Sequence, residues 1–416
     1  MRALLPLLIL LVGVVPDTVA QDAQSSVDLL REMQMDVAYL ASDLLEGRAP
    51  GTEGEALAAA HLIARFEALG LEPAGTEGYL QPFTFNVAAN PHAMASVMQD
   101  RSARNVVALL DHGAPRTIVV GAHYDHLGYG GEGSGSRQPA DSLIHNGADD
   151  NASGTAAMLA IARRLTADDA PRSHNVLFLG FSAEETGLHG SKFFVENPAV
   201  PLESIAYMIN LDMVGRLGPE RDLVVSGTGT SPAWGAALDV AEATHEINVA
   251  RSESGVGASD HTSFYLRDIP VVHLFTGAHD DYHKPIDDSH LIDYEGLVDI
   301  SAFAVTLIEE LDDDGEIAFT KTQDSSQSSP MSFRVSLGVM PDYAYQGDGM
   351  RIDAVLDDRP GSRAGLQNGD VVIRLGEIDV ADIYDYMEAL AQHDPGQTAP
   401  LVVMRNGERV ETNVTF

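Results

Sequence analysis

Five short apolar runs rich in β-branched residues constrain this 416-residue chain more than any other feature. They are RTIVVGAH (116–123), NVLFLGFSA (175–183), IAYMINLDM (205–213), DLVVSG (222–227) and PVVHLFTG (270–277). Helical segments beginning near Ser153, Ser191, Pro232 and Ser259 separate or follow them, and a last helix spans Leu291 to Leu311. Runs apolar along their whole length need cover on both faces, and alternation with helices supplies it. The expected fold is therefore α/β, with a mostly parallel central sheet and helices on both faces. In such sheets ligands bind beyond the carboxyl ends of the strands.

Upstream, SSVDLLREMQMDVAYLASDLL has helical spacing and ends near Gly47. A second helix, TEGEALAAAHLIARFEALG, opens on Thr52 with Glu55 three residues on, the pattern of a capping box, and stops at Gly70. Before these, Arg2 is followed by an apolar run from Ala3 to Val15, with small residues Thr18 and Ala20 after it. That run falls short of the ~20 residues a membrane helix needs and has the layout of a secretory leader. The expected divisions are a signal peptide (1–20), an α/β domain (21–311), a charged, then Ser/Gln-rich linker (312–332) and a small α+β domain (333–416). The expected location is periplasmic or secreted, with no later membrane span.

Twenty-five basic against 62 acidic residues give a formal charge of −37, which argues against a nucleic-acid partner, since that binding rests on neutralising phosphates. The chain contains no cysteine, so it has no disulfides, and any zinc must be held by His, Asp and Glu.

The residues just past each strand are chemically alike. His123 and Asp125 follow the first, Glu184 and Glu185 the second, and Asp212 the third. Tyr282 and His283 follow the last, while NGADDNASG sets Asp149 and Asp150 in the loop entering a helix. Any one of these is unremarkable: an Asp before a helix is a good cap, and a lone His after a strand is an ordinary polar residue. Delivered together to one sheet edge, two His and several carboxylates suit zinc, cobalt or manganese. More candidates converge than one catalytic zinc uses, which points to two ions sharing a bridging carboxylate. Of the adjacent Glu184 and Glu185, one can bind metal while the other takes a proton from water. Asp125, two residues after His123, can orient that imidazole.

In this order, HYDHLG, NGADDNASG, FSAEETGLHGS, NLDMVGR and DDYHKPIDD resemble the motifs of the secreted bacterial dizinc aminopeptidases, whose clan includes glutamate carboxypeptidases, transferrin receptors and glutaminyl cyclases. LEGRAPGTEGEALAAAHLIARFEALGLEPAG is similar to that family's N-terminal segment, so the resemblance covers roughly Asp28 to Glu310. It implies a phosphorylase/hydrolase-like zinc exopeptidase fold and two zinc ions per chain. By analogy, His123 and Asp212 hold one ion, Glu185 and His283 the other, and Asp149 bridges them. Asp150, Asn151 and Ser153 then cap and brace the turn. Glu184 matches the general base and Tyr282 the donor to the transition-state oxygen. The implied reaction is hydrolysis of the first peptide bond of substrates with a free N-terminus.

Other chemistries find less support. There is no HExxH helix and no GxSxG elbow. Ser259, Asp260 and His261 are consecutive and cannot form a triad, so His261 is expected to be structural. The loop Gly128–Gln138 is expected to be mobile. Carboxypeptidase or dipeptidase action on the same metals is the alternative within the clan, with Arg216 one candidate contact. Glutaminyl cyclase chemistry would use one zinc, whereas ligands for both metals are present. A metal-free, peptide-binding pseudo-peptidase is the non-enzyme reading.

The tail resembles a PDZ domain over Phe333 to Phe416, through SLGV and GSRAGLQNGDVVIRLG. PDZ modules receive a peptide as an added strand through backbone N–H groups. Pro341, two residues beyond SLGV, has no N–H to give. Weak peptide binding, or an intramolecular contact with the peptidase domain, is the expectation.

Overall fold

The computed structural model describes residues 17–416 except 89–97, 132–133, 139–141, 168–171, 278, 313–316, 323–334, 342–346, 356–358, 382–384, 387–388 and 391. Most of the expected leader, and most of the expected linker, lie outside the described residues.

The strands of the first module are β1 (Glu72–Pro73), β2 (Leu80–Ala88), β3 (Met98–Leu110), β4 (Arg116–His123), β5 (His174–Phe181), β6 (Ile205–Leu211), β7 (Asp222–Ser226), β8 (Asn248–Ser252) and β9 (Val271–Phe275). They form one nine-stranded sheet in the order β1-β3-β5-β4-β6-β9-β7-β8, with β2 also on β3. The four central strands β5, β4, β6 and β9 are parallel. Both flanks depart from that pattern: the β2–β3 hairpin adds antiparallel to β5, and β7 runs antiparallel to β9. In the hairpin, Gln81, Phe83 and Phe85 are buried while Pro82, Thr84 and Asn86 are exposed. This alternation belongs to a sheet covered on one side only.

Period-two geometry sorts the central strands between two cores. Ile118, Val120 and Ala122 of β4 and Val176 and Phe178 of β5 point to the larger core. There they meet Met33 of α1 (Asp17–Leu40), Phe66 of α2 (Glu53–Ala68), Met158 of α3 (Gly154–Ala167), Trp234 of α5 (Trp234–His245) and Phe303 of α7 (Tyr294–Leu311). Val119, Leu177 and Leu179 point the other way, against Phe194 of α4 (His189–Glu196) and Phe264 of α6 (His261–Tyr265). Among the described residues no helix is long and apolar enough to cross a membrane.

The C-terminal module has its own sheet and core. Strands β10 (Val339–Pro341), β11 (Met350–Val355), β12 (Val371–Leu375), β14 (Thr398–Arg405) and β15 (Glu408–Thr415) line up in that order, with β13 (Ile378–Asp379) on β12 and α8 at Pro360–Arg363. Leu337, Ile352, Val372, Leu401 and Val403 are among its core residues. β10 is an edge strand ending at Pro341, and its register on β11 shifts between Met340 and Pro341.

Residues 317–322, inside the expected linker, are bound to the first module. Ile317 is buried in its core. The Thr320 amide donates to the Thr230 carbonyl (2.7 Å), and the Gly255 amide donates to Thr322 Oγ1 (3.2 Å).

Candidate metal centre

Because β5, β4, β6 and β9 are parallel, the residues following them emerge at one edge. His123 closes β4, Glu184 and Glu185 follow β5, Asp212 follows β6, and His283 lies in the loop after β9. The turn before α3 brings up the acidic pair. One atom each of His123, Asp150 and Glu185 lie within 4.8 Å of one another, a group able to hold a metal.

The two neighbouring acids occupy positions opposite to those expected of them. Asp150, not Asp149, sits at the centre: its Oδ1 is 3.3 Å from His123 Nε2 and its Oδ2 3.1 Å from His283 Nε2. Asp149 points away, with Oδ1 accepting the Gly215 amide (2.7 Å) and Oδ2 3.0 Å from His279 Nε2. The Asp287 carboxylate accepts the amides of both Asp149 (2.9 Å) and Asp150 (3.1 Å), fixing the backbone in this setting. Asn151 and Ser153 brace the turn as expected. Asn151 Oδ1 accepts from the amides of Gly154 and Met213, and its amide donates to the Leu211 carbonyl. Ser153 Oγ donates to the Asp149 carbonyl and accepts the Val214 amide.

Around Asp150 the donors divide into two sets. On one side His123 Nε2 is 3.3 Å from Asp212 Oδ1; on the other His283 Nε2 is 3.1 Å from Glu185 Oε2. The chemistry of this set fits hard or borderline divalent cations: buried carboxylate oxygens and imidazole nitrogens, with no thiol. Buried acids outnumber the imidazoles among them, and the ring charges respond. Burial opposes protonation of His123 and His283, but Asp212 and Glu184, and Glu185 and Asp150 respectively, outweigh it and hold both well above the usual imidazole range. Burial likewise opposes ionisation of Glu185, yet His283 and His126 hold it down at about 2.

Glu184 behaves differently. Burial, reinforced by Glu185, Asp260 and Asp212 against the attraction of His123, keeps its carboxyl well above the ordinary range. Its amide donates to Asp125 Oδ1 (3.2 Å). The same Asp125 oxygen faces His123 Nδ1 at 3.7 Å, beyond hydrogen-bond reach, and the ring lies nearer the Asp125 carbonyl (3.3 Å). Asp125 therefore positions the Glu184 loop as well as facing the imidazole. Tyr282 stacks on the His283 ring, centroids 3.8 Å apart.

Residues 105–308 match the model of peptidase family M28, and residues 319–416 that of the PDZ domain. The chain carries an M28 peptidase domain joined to a PDZ domain. It is 30% identical over 187 residues to leupeptin-inactivating enzyme 1 of Streptomyces exfoliatus, a match covering 43% of this chain and 37% of that protein. The chain thus spans little more than a third of that relative. Its fold is similar to that of BSAP, a zinc aminopeptidase from Bacillus subtilis (TM-score 0.53, 17% identity, 72% of this chain and 97% of the other). It is also similar to that of the glutaminyl cyclase of Porphyromonas gingivalis (TM-score 0.54, 21% identity, 70% and 98%).

Arg48 supports the M28 centre yet has no sequence signal of its own. Arg48, in the LEGRAPG segment, is fully buried and donates to the carbonyls of Leu40 (2.5 Å), Asn146 (2.7 Å), Tyr124 (2.8 Å) and Gly147 (3.0 Å). It ties the loops carrying Asp125 and Asp150 to the N-terminal helices. Arg216 is committed to Asp281 (3.2 Å) and Asp287 (3.3 Å), which joins the His283 loop to the acidic turn. The expected mobile loop is, in its described part, docked on His283: the Gly135 carbonyl accepts from His283 Nδ1 (2.9 Å), and the Arg137 amide donates to the His283 carbonyl (3.0 Å). With Nδ1 given to that carbonyl, Nε2 is the nitrogen that faces Asp150 and Glu185. His261, expected to be structural, is buried beside the site. It stacks on His273 with centroids 4.5 Å apart and planes 7° from parallel.

Proposed function

We propose that this chain is a secreted dizinc aminopeptidase. The single observation that carries the reading is Asp150, whose two oxygens each face an imidazole that has a carboxylate of its own, beside a buried Glu184 held ready to keep a proton. In this reading His123 and Asp212 would hold one zinc, Glu185 and His283 the other, with Asp150 shared between them. Zinc supplies Lewis acidity, making water easier to deprotonate and a peptide carbonyl more electrophilic. Glu184 accepts the proton of the attacking water and delivers it to the departing amine, and its raised pKa suits a group that must do both near neutral pH. Tyr282, fixed by its stack on His283, donates a hydrogen bond to the carbonyl oxygen as charge develops there. The Streptomyces and Bacillus relatives support peptide hydrolysis with zinc, and the apolar run Ala3–Val15 supports export to the periplasm or beyond. We assign the PDZ domain a weak or intramolecular peptide contact, because the edge strand β10 ends in Pro341, which lacks the N–H an added strand would need.

Zinc content, and hydrolysis of free and N-acetylated aminoacyl-anilides, test this for the wild type and Glu184→Ala. Two zinc ions per chain, turnover that needs a free N-terminus, and a variant that keeps metal while losing turnover are the expected results. Cleavage only beside a free carboxylate would replace the substrate class. No bound zinc would overturn the reading.

A further inference from the structure

Four residues form the two sets of donors around Asp150, and a third imidazole reaches the same cluster. His126, one residue beyond Asp125, is fully buried, with Nδ1 2.6 Å from Glu185 Oε1 and 3.8 Å from Asp150 Oδ2. Its ring is seated rather than merely nearby. A side chain at Gly147 would come within 2.5 Å of the ring carbons, so only glycine there admits it, and the His283 ring stands edge-on to it at 5.8 Å. Its buried Nε2 has no hydrogen-bond partner among the described residues. The Glu185 oxygen facing it is an acceptor, so Nδ1 is the donor of this hydrogen bond.

We infer that His126 is the positioning residue for Glu185. It occupies Oε1 of that carboxylate and turns the other oxygen, Oε2, toward His283 Nε2 at 3.1 Å, where the second metal would sit. Glu185 is thereby a one-oxygen ligand with a fixed direction. The Gly135 carbonyl does the same for the partner ligand His283, so each ligand of this half is oriented by its own hydrogen bond. Such outer partners are typically worth about 10–100-fold in metal affinity. The inference rests on the two-metal reading above.

The test titrates the zinc-loaded full chain with a chromogenic chelator, resolving the two affinities, for wild type, His126→Leu and His126→Asn. Leucine fills the pocket without a donor; asparagine places an amide N–H near the position of Nδ1. The expected result is that His126→Leu weakens one of the two zinc ions about 10–100-fold and leaves the other unchanged, while His126→Asn restores much of the loss. Two wild-type affinities in His126→Leu would overturn the inference, and so would equal losses in the two variants, which would make the ring a packing element. If His126→Leu does not fold, His126→Gln replaces it: its amide lies near the Nε2 position, and undiminished affinity there would equally overturn the inference. Failure of the wild type to bind a second zinc would instead count against the proposed function.

Discussion

Asp150 turns its two carboxylate oxygens to two different imidazoles, Oδ1 to His123 and Oδ2 to His283, while its neighbour Asp149 turns both of its own to the surrounding scaffold. One position in the chain thus separates the proposed ligand from a brace. Asp150→Asn should lose bound zinc and, with it, roughly a thousandfold or more in kcat/KM. Asp149→Asn keeps an oxygen for the Gly215 amide and loses the charge opposite His279. It should retain zinc and lose about 1–3 kcal/mol of stability. Metal analysis and urea denaturation of the two variants check this, and equal zinc loss in both would return Asp149 to the ligand set.

Arg48 should be among the most sensitive positions outside the ligands. Burial lowers its pKa to about 10, with Asp125 and other acids opposing, so the guanidinium stays charged near neutral pH. Arg48→Met leaves four carbonyls without their donor and should cost about 3 kcal/mol or more. Arg48→Lys keeps the charge, reaches fewer carbonyls and should fall between the two. Urea unfolding midpoints give the order; a midpoint for Arg48→Met equal to wild type would mean that water replaces the side chain.

How far the sequence reached depends on the range of the forces involved. The central strands were legible because β4, β5 and β6 are buried almost throughout and, with the half-buried β9, read as largely apolar runs. The β2–β3 hairpin was missed: its alternating pattern is interrupted by Pro82, and its pairing is set by a distant partner strand, β5. At the centre, residue types and loops were legible, since parallel strands must present them at one edge. The choice between Asp149 and Asp150 was not. It turns on which carboxylate faces inward, and Asp287, Gly215 and His279 decide that from far along the chain. Arg48 was similarly hidden, because a buried arginine among charged surface residues has no periodicity to mark it.

His261 makes stability depend on pH. Burial holds its pKa well below 6.5, with His273 adding to the effect, so the folded chain keeps the ring neutral while the unfolded chain protonates it below about 6.5. Its contribution is fully present above that value and is lost as pH falls toward the folded pKa, by up to about 1.4 kcal/mol per pH unit. His261→Gln removes this term, so the stability difference between variant and wild type should shift in the variant's favour between pH 7.5 and 5. Parallel stability profiles for the two proteins would show that His261 takes up its proton in the fold.

The boundary between the M28 and PDZ domains should fall after residue 322. Ile317 buries its side chain in the larger core, and Thr320 and Thr322 bond to Thr230, Gly255 and the hydroxyl of Tyr265. Burying one isoleucine contributes about 1.5–3 kcal/mol, and the hydrogen bonds add to it. A chain ending at Ser332 should therefore unfold at the same midpoint as the M28 transition of the full protein. One ending at Asp312 should be less stable by about 2–3 kcal/mol. Its activity should also respond, because Gly255 and Tyr265 flank the turn that carries Asp260 toward Glu184. Equal midpoints for the two shortened chains would show that 317–322 is a tether lying on the surface and not part of the M28 folding unit.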